Sequence, residues 1–94
     1  MFNKKERQMR AVQRKIDRLL LGKTLDDVKK MFDEFCQEMK EIRADKGKDM
    51  NDCLECMKRY ENVLVIHDMF LDPMARSWMS ILYSLEAFKK CGEF

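Results

Sequence analysis

The sequence predicts an all-α protein, and three observations support this fold class. The 94 residues include only three glycines and one proline, so a loop-rich or all-β chain would have few places to turn. Hydrophobic residues make up 46% of the chain, which is too large a share for a disordered segment. Apolar residues recur at steps of three and four, the helical period. We expect one helical domain over residues 1–94, an antiparallel four-helix bundle or a pair of helical hairpins, with helices at about 4–21, 25–46, 50–71 and 74–91.

The first predicted helix begins with a capping signal and ends before a glycine. Asn3 is followed three residues later by Glu6, a pattern typical of a helix N-terminus. Its apolar seam consists of Met9, Val12, Ile16, Leu19 and Leu20. Gly22 supplies a left-handed position after the helix, and so short a connection makes the first two helices antiparallel neighbours.

The second predicted helix starts with a capping box at Thr24 and Asp27 and is closed by Gly47. Its seam holds a 3.5-residue period for almost three repeats: Leu25, Val28, Phe32, Phe35, Met39 and Ile42. This period is typical of helices that pack side by side in a bundle.

The third predicted helix is capped by Asp49 with Asp52 and contains the most apolar stretch of the chain, residues 63–71. Its seam continues the same alternation: Met50, Cys53, Met57, Tyr60, Leu64, His67 and Leu71. We place residues 63–71 near the centre of the molecule because they are apolar almost all round. Their β-branched residues would also suit a strand, but the helical period extends on both sides and no second strand is available for pairing.

The strongest break in the pattern is Asp72–Pro73. Proline at the first helical position after an aspartate cap predicts the end of the third helix and the start of the fourth. A single helix kinked at the proline is the alternative. The fourth seam comprises Met74, Trp78, Ile81, Leu85 and Phe88, and Cys91–Gly92 ends the helix.

Charge is strongly segregated along the chain, although the net charge is only +2. Residues 1–23 carry eight basic and two acidic residues, a net of +6, so the rest of the chain carries −4. Five of these basic residues form a predicted partner-binding stripe on the first helix: Lys4, Arg7, Arg10, Arg14 and Arg18. The planar guanidinium fork suits carboxylates and phosphates, so we predict that the stripe docks on an acidic protein surface.

Two other interpretations of the basic stripe remain open. It could be a solvated face, partly neutralised by acids of the second helix, which are Asp26, Asp27, Asp33, Glu34, Glu38, Glu41 and Asp45. It could also bind a nucleic-acid backbone. No aromatic residue beyond Phe2 interleaves with the stripe to stack bases, and no helix-turn-helix pattern is evident, so we rank nucleic acid below protein.

Cys53 and Cys56 form a CxxC, a spacing shared by zinc sites and redox motifs. With the helices folded back on one another, Cys36 and Cys91 could reach the same level, which leaves open a zinc-stapled module or a Cys53–Cys91 disulfide. We favour four reduced cysteines that bind no metal, because a CxxC inside a continuous helix is unusual for zinc and no second CxxC is present. No cofactor is predicted.

The single histidine, His67, lies on the third seam opposite Trp78 and is expected to be a core residue. Asp68 is adjacent but should point about 100° away on a regular helix, so no acid–base pair is predicted. No P-loop, GxSxG, HExxH or dinucleotide glycine pattern occurs. The sequence therefore predicts a protein that is not an enzyme.

A stripe of small residues on the fourth helix is the predicted dimer face: Ser77, Ser80, Ser84 and Ala87. Small side chains let another helix approach closely, although a solvated serine stripe fits the composition equally well. Helical domains of this size are often marginal and gain stability by self-association, so we expect a homodimer. The nine methionines could line an adaptable groove for a partner helix, although methionine at helical spacing more often fills the core.

The sequence also predicts a compartment. Charges are mixed through residues 1–18, which argues against a secretory signal, and Glu6 and Asp17 argue against a mitochondrial presequence, the alternative. The apolar runs are too short to span a membrane. Four cysteines without the density of a disulfide scaffold suit a reducing interior. We therefore predict a cytoplasmic regulator, adaptor or inhibitor that acts by docking on another protein.

Overall fold

The computed structural model describes residues 3–92, and over this range the chain is all-α with no strand, which confirms the predicted fold class. The structure has five α-helices, α1 (Lys4–Leu19), α2 (Leu25–Ala44), α3 (Met50–Arg59), α4 (Glu61–Ile66) and α5 (Trp78–Lys90), with a π turn at His67–Leu71 between the last two. None of the helices in residues 3–92 is long and apolar enough to cross a lipid bilayer. Phe2, the aromatic residue nearest the basic stripe, lies outside the described residues.

Two clusters of buried side chains hold the helices together. The larger joins α2, α3, α4 and α5 and contains Phe35, Met39, Cys53, Leu54, Cys56, Met57, Leu64, Leu82 and Leu85. The smaller joins α1, α2 and α4 and contains Ile16, Val28, Val63 and Ile66. The Phe35 ring is fully buried and meets the rings of Trp78 and Tyr60 edge-on, at centroid distances of 4.9 and 5.4 Å. This geometry is favourable for aromatic pairs and ties α2 to the C-terminal half of the molecule.

The buried part of helix α1 lies in its C-terminal half. Residues 4–11 are all exposed, and Met9, which the seam pattern placed in the core, keeps 52% of its surface in solvent. Ile16 is fully buried, and the Asn62 amide donates a hydrogen bond of 3.0 Å to the carbonyl oxygen of Leu19. The molecule is elongated, 54 × 25 × 24 Å. The predicted regular four-helix arrangement is therefore not confirmed.

The predicted capping signals of the first three helices are confirmed. The Asn3 side chain accepts from the Glu6 N–H, and both Thr24–Asp27 and Asp49–Asp52 form reciprocal capping boxes. Gly22 has a φ of +83°, as predicted for a left-handed turn residue. Gly47 does not close α2, which ends at Ala44. Instead, the Asp45 carboxylate accepts a hydrogen bond of 2.8 Å from the Gly47 N–H in the following turn.

The predicted continuous helix at 50–71 is wrong, because the chain breaks at Tyr60 and changes to a π turn at His67. Tyr60 has φ −103° and ψ 14°, outside the regular α-helical values. Its ring packs against both buried clusters, and the break lies where the chain passes from the larger cluster to the smaller. The helical spacing of apolar residues continues across the break at Tyr60, so the sequence pattern did not indicate a break there.

The fourth helix begins at Trp78, not at Met74. Residues 73–74 form a turn, Met74 is 94% exposed, and the N-cap is Ser77, whose hydroxyl accepts from the Ser80 N–H. The predicted break after Leu71 is confirmed, so the kinked continuous helix does not occur, but Asp72 is not the cap of α5. The predicted seam also omitted Leu82, which is fully buried.

Candidate functional site

The predicted basic stripe is a solvent-exposed face of α1. All five members are exposed: Lys4, Arg7, Arg10, Arg14 and Arg18. They lie on the side of the helix opposite Ile16, because steps of three and four residues keep them on one face while Ile16 points into the smaller core cluster. The sequence therefore identified the face and its exposure correctly, and we call these five residues the basic face.

The middle of the basic face is a shallow depression lined by Arg7, Arg10, Gln13, Arg14 and Asp17. The Gln13 amide donates to the Asp17 carboxylate at 2.9 Å and to the Lys23 carbonyl oxygen at 3.1 Å, which holds the floor of the depression in place. In the part of the chain between residues 3 and 92, no carboxylate lies within ion-pair distance of Arg7, Arg14 or Arg18. These three guanidinium groups face water.

Three acids of α2 have partners outside the basic face. Glu38 forms an ion pair with Arg59 of α3, and this hydrogen bond holds the pKa of Glu38 below its usual value. Glu41 accepts from the Gln37 amide at 3.2 Å, and Asp27 caps its own helix. The expected neutralisation of the basic face by α2 therefore does not apply to Arg7, Arg14 and Arg18.

The predicted dimer face on α5 is exposed at three of its four positions. Ser80, Ser84 and Ala87 are exposed, whereas Ser77 is half-buried and caps the helix. Two exposed aromatic residues of α5, Tyr83 and Phe88, were not part of the prediction. Phe88 was expected on the inner seam, but more than half of its surface is in solvent.

The four cysteines do not converge. Cys53 and Cys56 are buried inside α3, while Cys36 and Cys91 are exposed, and all four are free thiols. No group of three or more metal-ligating side chains within residues 3–92 is placed to hold an ion, so the structure gives no support to the alternative in which four sulfurs share one level. That alternative assumed straight helices of full length, whereas the third is broken at Tyr60 and the fourth starts late. Burial raises the pKa of the Cys56 thiol to about 11, which keeps it protonated at neutral pH.

The structure brings together three polar residues that the sequence analysis did not connect. His67 is buried, stacks on Phe32 at a centroid distance of 3.9 Å, and approaches the Asp68 carboxylate through Nδ1 at 3.1 Å. The other Asp68 oxygen accepts from the Ser77 hydroxyl and from the Met79 N–H, both at 2.9 Å. The expectation that Asp68 points away from His67 is wrong, because the two side chains turn toward each other and bring Nδ1 to 3.1 Å from a carboxylate oxygen.

We call His67, Asp68 and Ser77 the Asp68 joint. They are the residue types of a serine-hydrolase catalytic triad, but they are hydrogen-bonded in a different order. In that mechanism the histidine lies between the serine and the aspartate and takes the serine proton. Here Asp68 lies in the middle, so His67 makes no bond to the Ser77 hydroxyl. Burial raises the pKa of Asp68, but hydrogen bonds from Met79, His67, Ser77 and Trp78 outweigh it and the net pKa is lowered. The carboxylate thus acts as a charged cap for α5.

The Asp68 joint could not be found from local patterns, since its hydrogen bonds span nine and eleven residues. The Ser77 cap did have a local signal, a serine directly before the apolar residues of α5, which the stronger Asp72–Pro73 signal obscured. Comparison with protein-family models, with curated proteins and with solved structures gives no match to this chain.

Proposed function

We propose that this chain is a small helical docking protein that acts in the cytoplasm as a regulator, adaptor or inhibitor. In this proposal the basic face of α1 binds an acidic surface of a partner protein, and the chain performs no chemistry of its own. One observation carries it: all five residues of the basic face are exposed, as are all of residues 4–11, and within residues 3–92 no carboxylate pairs with Arg7, Arg14 or Arg18.

The geometry of α1 suits docking along a surface. Arg7 and Arg18 are eleven residues apart, so the arginines span about 16 Å of helix at 1.5 Å per residue. One exposed ion pair contributes only about 0.2–1 kcal/mol, so useful affinity requires several pairs formed together. A rigid helix presents its guanidinium groups at fixed spacing, which lowers the entropic cost of forming those pairs at once.

Several side chains capable of chemistry are engaged in the fold or have raised pKa values, which supports a role without catalysis. Asp68 caps α5, and Ser77 donates to Asp68 rather than to a histidine. Burial is the main cause of the raised pKa values of Cys36, Cys53 and Cys56. A thiol with a raised pKa is a weak nucleophile near neutral pH.

The proposal is tested by fluorescence anisotropy with labelled poly-glutamate as the acidic probe. The basic-face variant carries Arg7→Glu and Arg14→Glu, and the control variant carries Lys29→Glu and Lys40→Glu, two exposed lysines of α2 with the same change in charge. We expect wild type and control to bind the probe at low salt. The basic-face variant should bind about tenfold or more weakly, because two attractions become repulsions.

Two results would contradict the proposal. Equal binding by the basic-face and control variants would show that total charge, not the basic face, attracts the acidic probe. Tighter binding of wild type to duplex DNA than to poly-glutamate, weakening steeply with salt, would favour a nucleic-acid partner instead. Circular dichroism of both variants confirms that any loss of binding is not loss of helix.

A further inference from the structure

Helix α2 carries an acidic face that complements the basic face of α1. A second shallow depression is lined by four carboxylate residues together with one lysine and one glutamine: Asp33, Glu34, Glu38, Glu41, Lys30 and Gln37. Val28, Phe35 and Met39 are buried on the opposite side of the helix. We call Asp33, Glu34, Glu38 and Glu41 the acidic face, which therefore points away from the core.

The two faces match in spacing as well as in charge. Arg7, Arg10 and Arg14 follow steps of three and then four residues, whereas Glu34, Glu38 and Glu41 follow steps of four and then three. When the two helices lie antiparallel, the arginines are met in reverse order, from Arg14 to Arg7. Their steps are then four and three residues, the same as those of the glutamates. Arg14 then lies beside Glu34, and Arg7 beside Glu41. Arg10 and Glu38 share the level between them, but Glu38 is already paired with Arg59. Each series covers eight residues, and its seven steps span about 10 Å of helix.

The two faces do not meet in this way within one chain. Helix α1 turns Ile16 toward the core, so its basic face is directed outward, and Arg7 and Arg14 lack a carboxylate at ion-pair distance anywhere in residues 3–92. Glu38 meets Arg59 of α3 instead. Arg7 and Arg14 are therefore open, as far as residues 3–92 are concerned, to carboxylates of another molecule.

We infer that this other molecule is a second copy of the chain, whose acidic face on α2 receives the basic face of α1. The inference rests on the proposed function and names its acidic partner. Each copy carries both faces, so a two-fold arrangement forms the contact twice and keeps like charges apart. The exposed serines of α5 take no part in it.

A contact built from exposed charges is sensitive to salt. Screening reaches only about 8 Å at an ionic strength of 0.15 M, compared with about 30 Å at 0.01 M. We therefore expect the association constant of the wild-type chain to fall at least about tenfold between these two conditions.

The test is sedimentation velocity on the whole chain at low ionic strength. The acidic-face variant carries Glu34→Arg and Glu41→Arg, which leaves the Glu38–Arg59 pair intact, and it is compared with the basic-face variant described above. Each variant alone should be monomeric, since the two Arg–Glu pairs at the substituted positions are replaced by pairs of like charge. An equimolar mixture of the two should associate as wild type does, because opposite faces are available again. The Lys29→Glu, Lys40→Glu control should behave as wild type.

The outcomes separate this inference from the proposed function. A wild-type chain that is monomeric at low salt, yet still binds poly-glutamate through the basic face, would overturn the inference and leave the proposed function in place. Failure to bind poly-glutamate as well would overturn both. Self-association that persists in the acidic-face variant, or that is not restored by mixing, would show that α2 is not the receiving surface.

Discussion

The first half of α1 and the Asp68 joint are both dense in polar side chains, but the fold uses them in opposite ways. Residues 4–11 are all exposed, and their helix is supported locally by the Asn3 cap. The Asp68 carboxylate is largely buried and bonded to His67, Ser77 and the Met79 N–H. The first half of α1 contributes charge to the surface, whereas the Asp68 carboxylate holds the π turn to the start of α5.

This contrast shows where a charged side chain is available for a partner. A buried carboxylate is tolerated only when hydrogen bonds replace its water, so its bonding capacity is already used within the chain. An exposed arginine keeps its water and its donors, and it can exchange them for a partner's oxygens at little cost. We therefore assign the proposed docking role to the exposed arginines of α1 and not to the Asp68 joint.

The largest expected effect on the free energy of unfolding is the difference between two substitutions of apolar residues, one in the core and one in the first half of α1. Phe35→Ala removes a fully buried ring that contacts Tyr60 and Trp78, and we expect it to lower the free energy of unfolding by about 3–5 kcal/mol. Met9→Ala, on the seam of α1, should lower it by less than about 0.5 kcal/mol, because Met9 is mostly in solvent. Urea denaturation followed by circular dichroism measures both. A loss above about 1.5 kcal/mol for Met9→Ala would show that the first half of α1 packs on the body.

A smaller effect is expected from truncating the Asp68 carboxylate. Asp68→Ala leaves the Met79 N–H, the Ser77 hydroxyl and His67 without their acceptor in a largely buried place, and we expect a loss of about 2–4 kcal/mol. Asp33→Ala is the matched control because Asp33 is exposed on α2, and it should change stability by no more than about 0.5 kcal/mol. Equal urea midpoints for the two variants would rule out a structural role for the joint.

The smallest expected effect is the pH dependence of the stability that the Asp68 carboxylate contributes. The pKa of Asp68 is lowered in the folded chain from an ordinary value of 3.8, so its stabilising effect is complete above that pH. It is lost as the pH falls from 3.8 through the folded pKa, where the carboxylate takes up a proton. The difference in urea midpoint between wild type and Asp68→Asn should therefore shrink between neutral pH and a pH well below 3.8. A difference that stays constant would mean that the ionised form is not favoured by folding.

Features set by neighbouring residues were predicted well from the sequence. The capping boxes at Thr24 and Asp49 close within three residues, so their residue types are sufficient to indicate them. The seam of α2 is also correct, with Val28 and Phe35 fully buried, because a long uninterrupted helix displays its period clearly. The basic face of α1 follows from the same period.

Features that depend on distant contacts were missed. Nothing local distinguishes Tyr60 from its neighbours, since the apolar period continues through the break, and its backbone is determined by packing against two clusters. The sequence left open a convergence of the four cysteines, which does not occur within residues 3–92, because a fold-back count assumes straight, parallel helices. The Asp68 joint needs the turn at residues 72–77 to be in place before its partners meet.

The residue order of this chain determined its helical class, its caps and the sign of each exposed face, because these depend on interactions within one or two turns of helix. Only the tertiary structure decided which half of α1 stays exposed, where the third helix breaks and which carboxylate caps α5. Those outcomes depend on which buried surfaces meet, and side chains far apart in sequence contribute to that free energy together.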